Sequence, residues 1–261
     1  MLRALTTAAA GMEAQQTQLD VTANNIANVS TAGFKKSRAE FADLMYQRMR
    51  PAGAATGNGT SAPSGLEVGL GVRVTTTQRM QGQGELRQTG NALDVAIQGN
   101  GFFAVTLPSG DTAYTRNGAF QRDANGLLVT SEGYPVAGEI TIPPEAQSVT
   151  IAGDGKVTAT VPGDPAPVEL GQLQLTTFAN PAGLEAMGGT LFRETAAAGD
   201  AVTGNPGENG AGGLLGGALE LSNVSAVEEM IDLISGQRAY EVNTRVIKAA
   251  DEMLGQTAQL R

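Results

Sequence analysis

The sequence contains no cysteine, no histidine and no tryptophan. Without cysteine there is no disulfide and no thiolate metal site, so packing and hydrogen bonding must hold the fold together. Without histidine, the commonest general base and the commonest neutral metal ligand are both missing. A Ser–His hydrolytic pair is impossible within one chain, and a zinc site would need carboxylates alone. These absences weigh against an enzyme. Aromatic residues make up only 4% of the 261 residues. No run of about 18 apolar residues occurs, so no membrane-spanning helix is expected. The opening residues 1–11 carry one Arg and a short apolar run broken by Thr6 and Thr7, which does not read as a secretory signal. Positive charge is also scarce: 17 Lys and Arg against 26 Asp and Glu leave a net −9, which argues against nucleic acid as a partner.

What is present suits a folded chain. Hydrophobic residues reach 41%, enough for a sizeable core, and 35 glycines point to many tight turns. The charge is uneven. Residues 1–50 hold six basic and four acidic side chains, residues 51–219 seven and fifteen, and residues 220–261 four and seven. The middle is therefore the acidic, solvent-facing part, and the two ends have opposite sign.

Both ends read as amphipathic helices with narrow apolar seams. Leu5, Met12, Leu19 and Ile26 recur every seven residues in the first, which should stop at the Asn, Ser, Thr and Gly cluster of residues 28–33. In the last segment Ser222 or Asn223 is a candidate helix cap, with Glu228 and Glu229 in the early turns. Val224, Val227, Ile231 and Ile234 form one stripe. After a slip at Gly236 the pattern resumes with Ala239, Val242, Val246, Ala249, Met253 and Leu260. Such seams are marginal in isolation and must be covered, either by an ordinary two-helix pack on a globular core or by neighbouring subunits.

The middle reads as β structure. Five Asn-Gly pairs, at 58–59, 100–101, 117–118, 125–126 and 209–210, are hairpin signals, because both residues tolerate positive φ. Strand-like runs occupy 93–98, 102–107, 127–130, 148–151, 156–161 and 172–178. Residues 50–65 and 196–217 are rich in Gly and Ala and read as linkers. The expected class is α+β, with terminal helices pairing as a coiled-coil layer and an antiparallel β domain inserted between them through extended connections. The expected division is 1–30 with 224–261 for the helical domain, 31–95 with 202–223 for the connections, and 96–201 for the outer β domain.

No nucleotide-binding glycine loop is present. Gln121-x-Asp123-x-Asn125-Gly126-x5-Glu132 approaches a calcium loop, but Gln121 stands where an Asp belongs and no helices flank it, so a hairpin turn is the better reading. No cofactor or metal is expected. Lys35, Lys36 and Arg38 form a short basic cluster that reads as a solvated turn.

Two terminal motifs carry a family resemblance. Residues 19–41, LDVTANNIANVSTAGFKKSRAEF, include Asn24, Asn25, Ala27 and Asn28, then Gly33 and Phe34. Leu221-Ser222-Asn223-Val224, then Gln237-Arg238-Ala239-Tyr240-Glu241 and Asp251-Glu252-Met253-Leu254, stand near the other end. With GNALDVAIQGNGFF at 90–103 and Tyr114–Gly118 between them, the chain resembles the flagellar rod and hook proteins over most of its length. The length, the 65–90 segment and Asn209–Gly212 look most like the distal-rod branch, with proximal rod proteins the nearest confusion.

The resemblance implies a non-enzymatic subunit of a helical homopolymer in the basal body, spanning the periplasm. Its implied partners are its own copies, proximal rod proteins, the hook protein, surrounding ring proteins and the flagellar export apparatus. It implies export without a cleaved signal and no membrane insertion. It also implies that residues 46–65 lie in a subunit-contacting extension. A secreted β-rich binding protein is the competing expectation from another class.

Overall fold

The computed structural model describes residues 2–57, 60–162 and 166–259. The Asn58-Gly59 pair and Leu260 lie outside them. The chain forms two units. One comprises residues 1–26, 37–78 and 225–261, and the other residues 27–36 and 79–224.

The first unit holds both long helices, α1 (Leu2–Ala27) and α2 (Ala226–Gln259). Neither contains proline, and α1 is rich in alanine, the best helix former. α1 ends at Ala27, where the Asn28 carbonyl accepts the Thr31 N–H at 3.1 Å and turns the chain. Neither Ser222 nor Asn223 caps α2, which starts three residues beyond Asn223. The Ser222 hydroxyl instead accepts the Val224 N–H, and the Asn223 amide is engaged elsewhere.

The helices meet in antiparallel register. Asn25 reaches Glu229, Leu19 lies on Gly236, the Thr244 hydroxyl points to the Met12 sulfur at 3.6 Å, and Gly11 faces Asn243. The face of α2 turned to α1 repeats every seven residues as Glu229, Gly236, Asn243 and Ala250, with Leu233, Ile247 and Leu254 beside them. Small side chains allow the approach: a Cβ at Gly236 would stand 3.0 Å from Leu19 Cδ2, and one at Gly11 3.1 Å from the Asn243 side chain. The pattern slip read at Gly236 is therefore no break. The helix runs straight through, and the glycine marks the contact face. Gly236→Leu should overpack this contact and lower the stability of the helix pair by about 1–3 kcal/mol, read from the helical ellipticity on heating.

The strands Ser37–Asp43 and Val72–Arg79 form a two-stranded sheet. Between them Tyr46–Arg50 pairs antiparallel with Leu66–Gly69, and Ala55–Gly57 with Thr60–Ser61. The described residues of the 50–65 stretch are therefore part of paired β structure and not a linker. They read as linker because most of them are Gly, Ala, Ser and Pro, whose small side chains carry little apolar alternation. Met45, Tyr46, Met49 and Leu66 are exposed along the hairpin.

The second unit is β-rich, and its pairings are antiparallel. A four-stranded sheet runs in the order Glu185–Gly188, Leu191–Arg193, Thr112–Thr115, Phe103–Thr106. A three-stranded sheet joins Ser148–Ile151, Lys156–Thr160 and Val168–Gln172. Val95–Gln98 pairs with Gly213–Gly216, Leu86–Gln88 with Ala218–Glu220, and Leu175–Thr177 with Val202–Gly204. Each of the six strand-like runs contains a strand.

Residues 196–217, read as linker, supply two of these strands. At Gly216 glycine is required because backbone passes close by: a Cβ there would stand 2.7 Å from the Ile151 carbonyl oxygen. The main core gathers Val95, Ile97, Phe103, Val105, Phe120, Leu128, Ile140, Ile142, Leu173 and Leu175. A second cluster packs Phe102, Tyr114, Phe178, Leu184 and Phe192, with their rings edge to face.

Only one of the four described Asn-Gly pairs joins two strands that pair with each other. Asp123–Gly126 connects Gln121–Arg122 to Leu128–Val129, and the Asp123 Oδ1 accepts the N–H groups of Asn125 (2.8 Å) and Leu127 (2.7 Å). That is the hairpin turn expected in place of a calcium loop. The other three pairs lie in bends between strands that pair with more distant partners. In three of the four the glycine has positive φ, at Gly101, Gly126 and Gly210, but the dipeptide does not say which strands will meet.

Candidate functional site

Two features stand out. One is a buried charge cluster in the β-rich unit, and the other is an exposed apolar stripe on α2.

Lys35 and Glu220 side chains are 0% exposed and Arg116 only 4%. Lys35 Nζ donates to Glu220 Oε1 at 2.6 Å and to the Gly82 carbonyl at 2.7 Å. Arg116 Nε donates to Glu220 Oε2 at 2.9 Å, and its Nη1 donates to the carbonyls of Gly99 and Gly101. The Gly84 N–H completes the shell of Glu220 Oε1 at 2.9 Å. One carboxylate thus carries two cations, and the low dielectric makes each bond strong and each loss costly. Burial pushes the Lys35 ammonium below its ordinary pKa and the nearby Arg116 adds to this, while Glu220 opposes both.

The expectation of a solvated basic turn at Lys35, Lys36 and Arg38 is thereby corrected. Only Arg38 is exposed, paired with Glu40 at 2.7 Å, and Lys35 is an interior residue. Nothing in the local sequence signals this, because the partner lies 185 positions away.

Around this cluster the 27–36 segment is sewn to the unit's body. The Gly33 N–H donates to the Glu220 carbonyl at 2.8 Å. The Asn223 side chain accepts the Lys36 N–H at 2.7 Å and donates to the Met80 carbonyl at 2.8 Å. Gly33 has φ +71°, and a Cβ there would stand 2.6 Å from the Asn117 nitrogen. Gly33→Ala should therefore strain backbone against backbone and lower the thermal stability of this unit by about 1–3 kcal/mol.

Asn25 performs the matching task in the helical unit. It is 2% exposed, exchanges two hydrogen bonds with the Ser37 backbone, and donates to Glu229 Oε2 at 3.0 Å. One amide thereby ties the end of α1, the first strand and the start of α2 together.

The remaining signature residues lie nearer the surface. Phe34 and Asn28 are half-buried, and the Asn28 Oδ1 accepts the Thr31 hydroxyl. Asn24, Ala27, Gln237, Arg238 and Tyr240 are exposed, and Ala239 is half-buried.

The seam residues divide in two. Leu5, Met12, Leu19 and Ile26 are half-buried. Val227 (69% exposed), Ile231 (61%), Ile234, Val242 (54%), Val246 and Met253 all face outward. Met230 adds to this surface. A stripe of that length does not stay in water on a folded monomer without a reason, and large exposed apolar surface marks an interaction site.

Residues 5–35 match the family described as "Flagella basal body rod protein". Residues 96–159 match the "Flagellar hook protein FlgE/F/G D1 domain", and residues 215–260 the "Flagellar basal body rod FlgEFG protein C-terminal". The chain is 48% identical over 260 residues to the flagellar basal-body rod protein FlgG of Buchnera aphidicola subsp. Schizaphis graminum, covering 100% of both chains. It is 49% identical over 261 residues to the FlgG protein of Caulobacter vibrioides, again over 100% of both, and 41% identical over 266 residues to that of Bacillus subtilis.

The chain belongs to the flagellar basal-body rod protein family. The two terminal matches cover the residues that the structure explains physically. In the first, Asn25, Gly33 and Lys35 are buried hydrogen-bonding or close-approach positions. In the second, Glu220 and Glu229 are their partners. The terminal motifs of this rod-family chain therefore describe paired ends of one structure, and not two independent signals.

Proposed function

We propose that the chain is a structural subunit of the flagellar distal rod, polymerising helically into a straight hollow shaft that transmits torque to the hook. The observation that carries this reading is the exposed apolar stripe on α2, in a chain that is full-length similar to basal-body rod proteins. Copies related by a repeated rotation and rise would cover each stripe with a neighbour's helix, and heterologous contacts of that kind generate tubes.

In this reading residues 1–30 and 224–261 form a coiled-coil inner layer. Residues 31–95 and 202–223 are connecting segments with extended and β structure, and residues 96–201 form the outer β domain. Leu5, Met12, Leu19 and Ile26 on α1, and Val227, Ile231, Ile234, Val242, Val246 and Met253 on α2, are the assembly seams. The partners are further copies of the chain, proximal rod proteins, the hook protein, surrounding ring proteins and the export apparatus. The subunit acts in the basal body across the periplasm, arrives by flagellar export without a cleaved signal, and works as scaffold and not as catalyst. No helix among the described residues is long and apolar enough to cross a membrane.

Electron microscopy of the purified chain at high concentration, seeded with isolated rod fragments, tests this reading. Straight hollow tubes are the expected product. Curved tubes would move the assignment to a hook-like subunit. No growth on seeds, together with protease-resistant termini in the monomer, would overturn the polymer reading.

A further inference from the structure

The four described Asn-Gly pairs differ sharply in how their backbones are held, and that difference has a chemical consequence. An asparagine followed by glycine can lose its side-chain amide without an enzyme. The glycine nitrogen, after giving up its proton, attacks the asparagine Cγ. An N–Cγ bond forms, the Cγ–Nδ2 bond breaks, and ammonia leaves with the proton. Water then opens the five-membered succinimide at either carbonyl, leaving aspartate or isoaspartate. The step needs a glycine nitrogen free to approach Cγ and room for the backbone to rotate.

Three pairs lack that freedom. In Asn125-Gly126 the attacking Gly126 N–H is bonded to the Asp123 carbonyl at 3.1 Å, and the Asn125 side-chain amide is held by Asp123 Oδ2. In Asn117-Gly118 the asparagine Oδ1 accepts the Ala119 N–H at 3.1 Å, and Gly118 is buried with the Val95 carbonyl against it. In Asn100-Gly101 the Asn100 carbonyl accepts the Gly212 N–H at 2.7 Å, and the buried Gly101 carbonyl accepts Arg116 Nη1 at 2.9 Å. Rotation about the reacting bond would break one or both anchors.

Asn209-Gly210 has no such restraint. Both residues are exposed, neither backbone nor side chain carries a hydrogen bond among those of the described residues, and nothing lies within 4 Å of the Gly210 Cβ position. Both residues have positive φ (51° and 78°), so the glycine can leave its present conformation at little steric cost. The turn is clipped only by the Ala211 N–H on the Glu208 carbonyl at 2.8 Å, which is local and short-range.

We infer that Asn209 is a site of spontaneous deamidation in the folded protein, converting to aspartate and isoaspartate through a succinimide with Gly210. The product adds a negative charge to the acidic middle of the chain, and the isoaspartate form lengthens the main chain by one methylene in the loop between Val202–Gly204 and Gly213–Gly216. A subunit that is not replaced accumulates this change with age.

The test is incubation of the full-length folded chain at mildly alkaline pH, followed by cleavage after glutamate and mass spectrometry that separates aspartate from isoaspartate. The same chain in denaturant gives each site's unprotected rate. In the folded chain Asn209 should react at close to its denatured rate, while Asn100, Asn117 and Asn125 should be slowed at least about tenfold by the need for local opening. Asn209→Gln should abolish the product at this position. Protection of Asn209 equal to that of the other three would overturn the inference. So would an unchanged isoaspartate yield from the Asn209 peptide region in Asn209→Gln.

Discussion

Glu220→Gln should destabilise the β-rich unit by about 3–5 kcal/mol, the largest single-residue loss expected in this chain. Lys35, Arg116 and Glu220 sit together with almost no solvent access, and among the described residues Glu220 is the carboxylate that touches both cations. Glutamine keeps the shape and one acceptor but removes the charge. Two cations then remain buried against carbonyls and each other, with Arg116 already depressing the Lys35 ammonium. Lys35→Met should cost clearly less, because Glu220 keeps Arg116 and the Gly84 N–H as partners and the aliphatic volume is retained. The double replacement Lys35→Met with Glu220→Gln should fall short of the sum of the two, since neutralising the pair together removes the uncompensated ammonium. Chemical denaturation of the three variants measures all of this. Equal losses for Glu220→Gln and Lys35→Met would mean the cluster is held by packing and not by its charge balance.

Ile234→Asp combined with Val242→Asp should abolish growth of the polymer while leaving the monomer folded. Both positions are about half exposed on α2, on the side away from the Glu229, Gly236, Asn243 and Ala250 face. A carboxylate there remains in water in the monomer and is nearly neutral for its stability. In an assembled tube it would be buried against an apolar neighbour, and each uncompensated charge would cost several kcal/mol. Seeded growth should fall below detection, with circular dichroism and unfolding midpoint close to those of the parent chain. Growth at the parental rate would show that this stripe is not the seam. Leu19→Asp and Ile26→Asp on α1 should also block assembly with the β-rich unit still folded. Leu19 additionally packs on Gly236 within the chain, so its replacement should loosen the helix pair as well.

Much of the architecture could be read from periodicity. Seven-residue spacing at both ends marked α1 and α2, and alternating or β-branched runs marked six strands, because those patterns reflect local geometry that a helix or strand must satisfy wherever it is placed. Glycine-rich stretches misled for the same reason. Residues 50–65 and 196–217 have linker composition, yet they form a hairpin and two paired strands. Some of these glycines face open space, as at Gly53 and Gly207, and others a close backbone neighbour, as at Gly65 and Gly216, and composition does not distinguish the two.

The candidate sites divide along the same line. The apolar rows on each helix were visible because a row is a one-dimensional property of the chain. Which row would face the partner helix was not. On α2 the contact face is centred on Gly236 and the buried Ala250, with Leu233, Ile247 and Leu254 only beside them, and this leaves the bulkier Val227, Ile231 and Val242 side outward. The reach from Lys35 to Glu220, and from Asn25 to Glu229, was likewise invisible, since a charge or an amide in a sequence carries no sign of what will desolvate it.

The sequence by itself determined the helices, the β-rich middle, the absence of thiol and imidazole chemistry, and the motifs of the rod family, all of which depend on residue type and spacing. Only the tertiary structure decided which charges are interior, which apolar row stays exposed, and which asparagine is free to react. Those outcomes depend on burial, and burial is set by residues hundreds of positions apart folding onto one another.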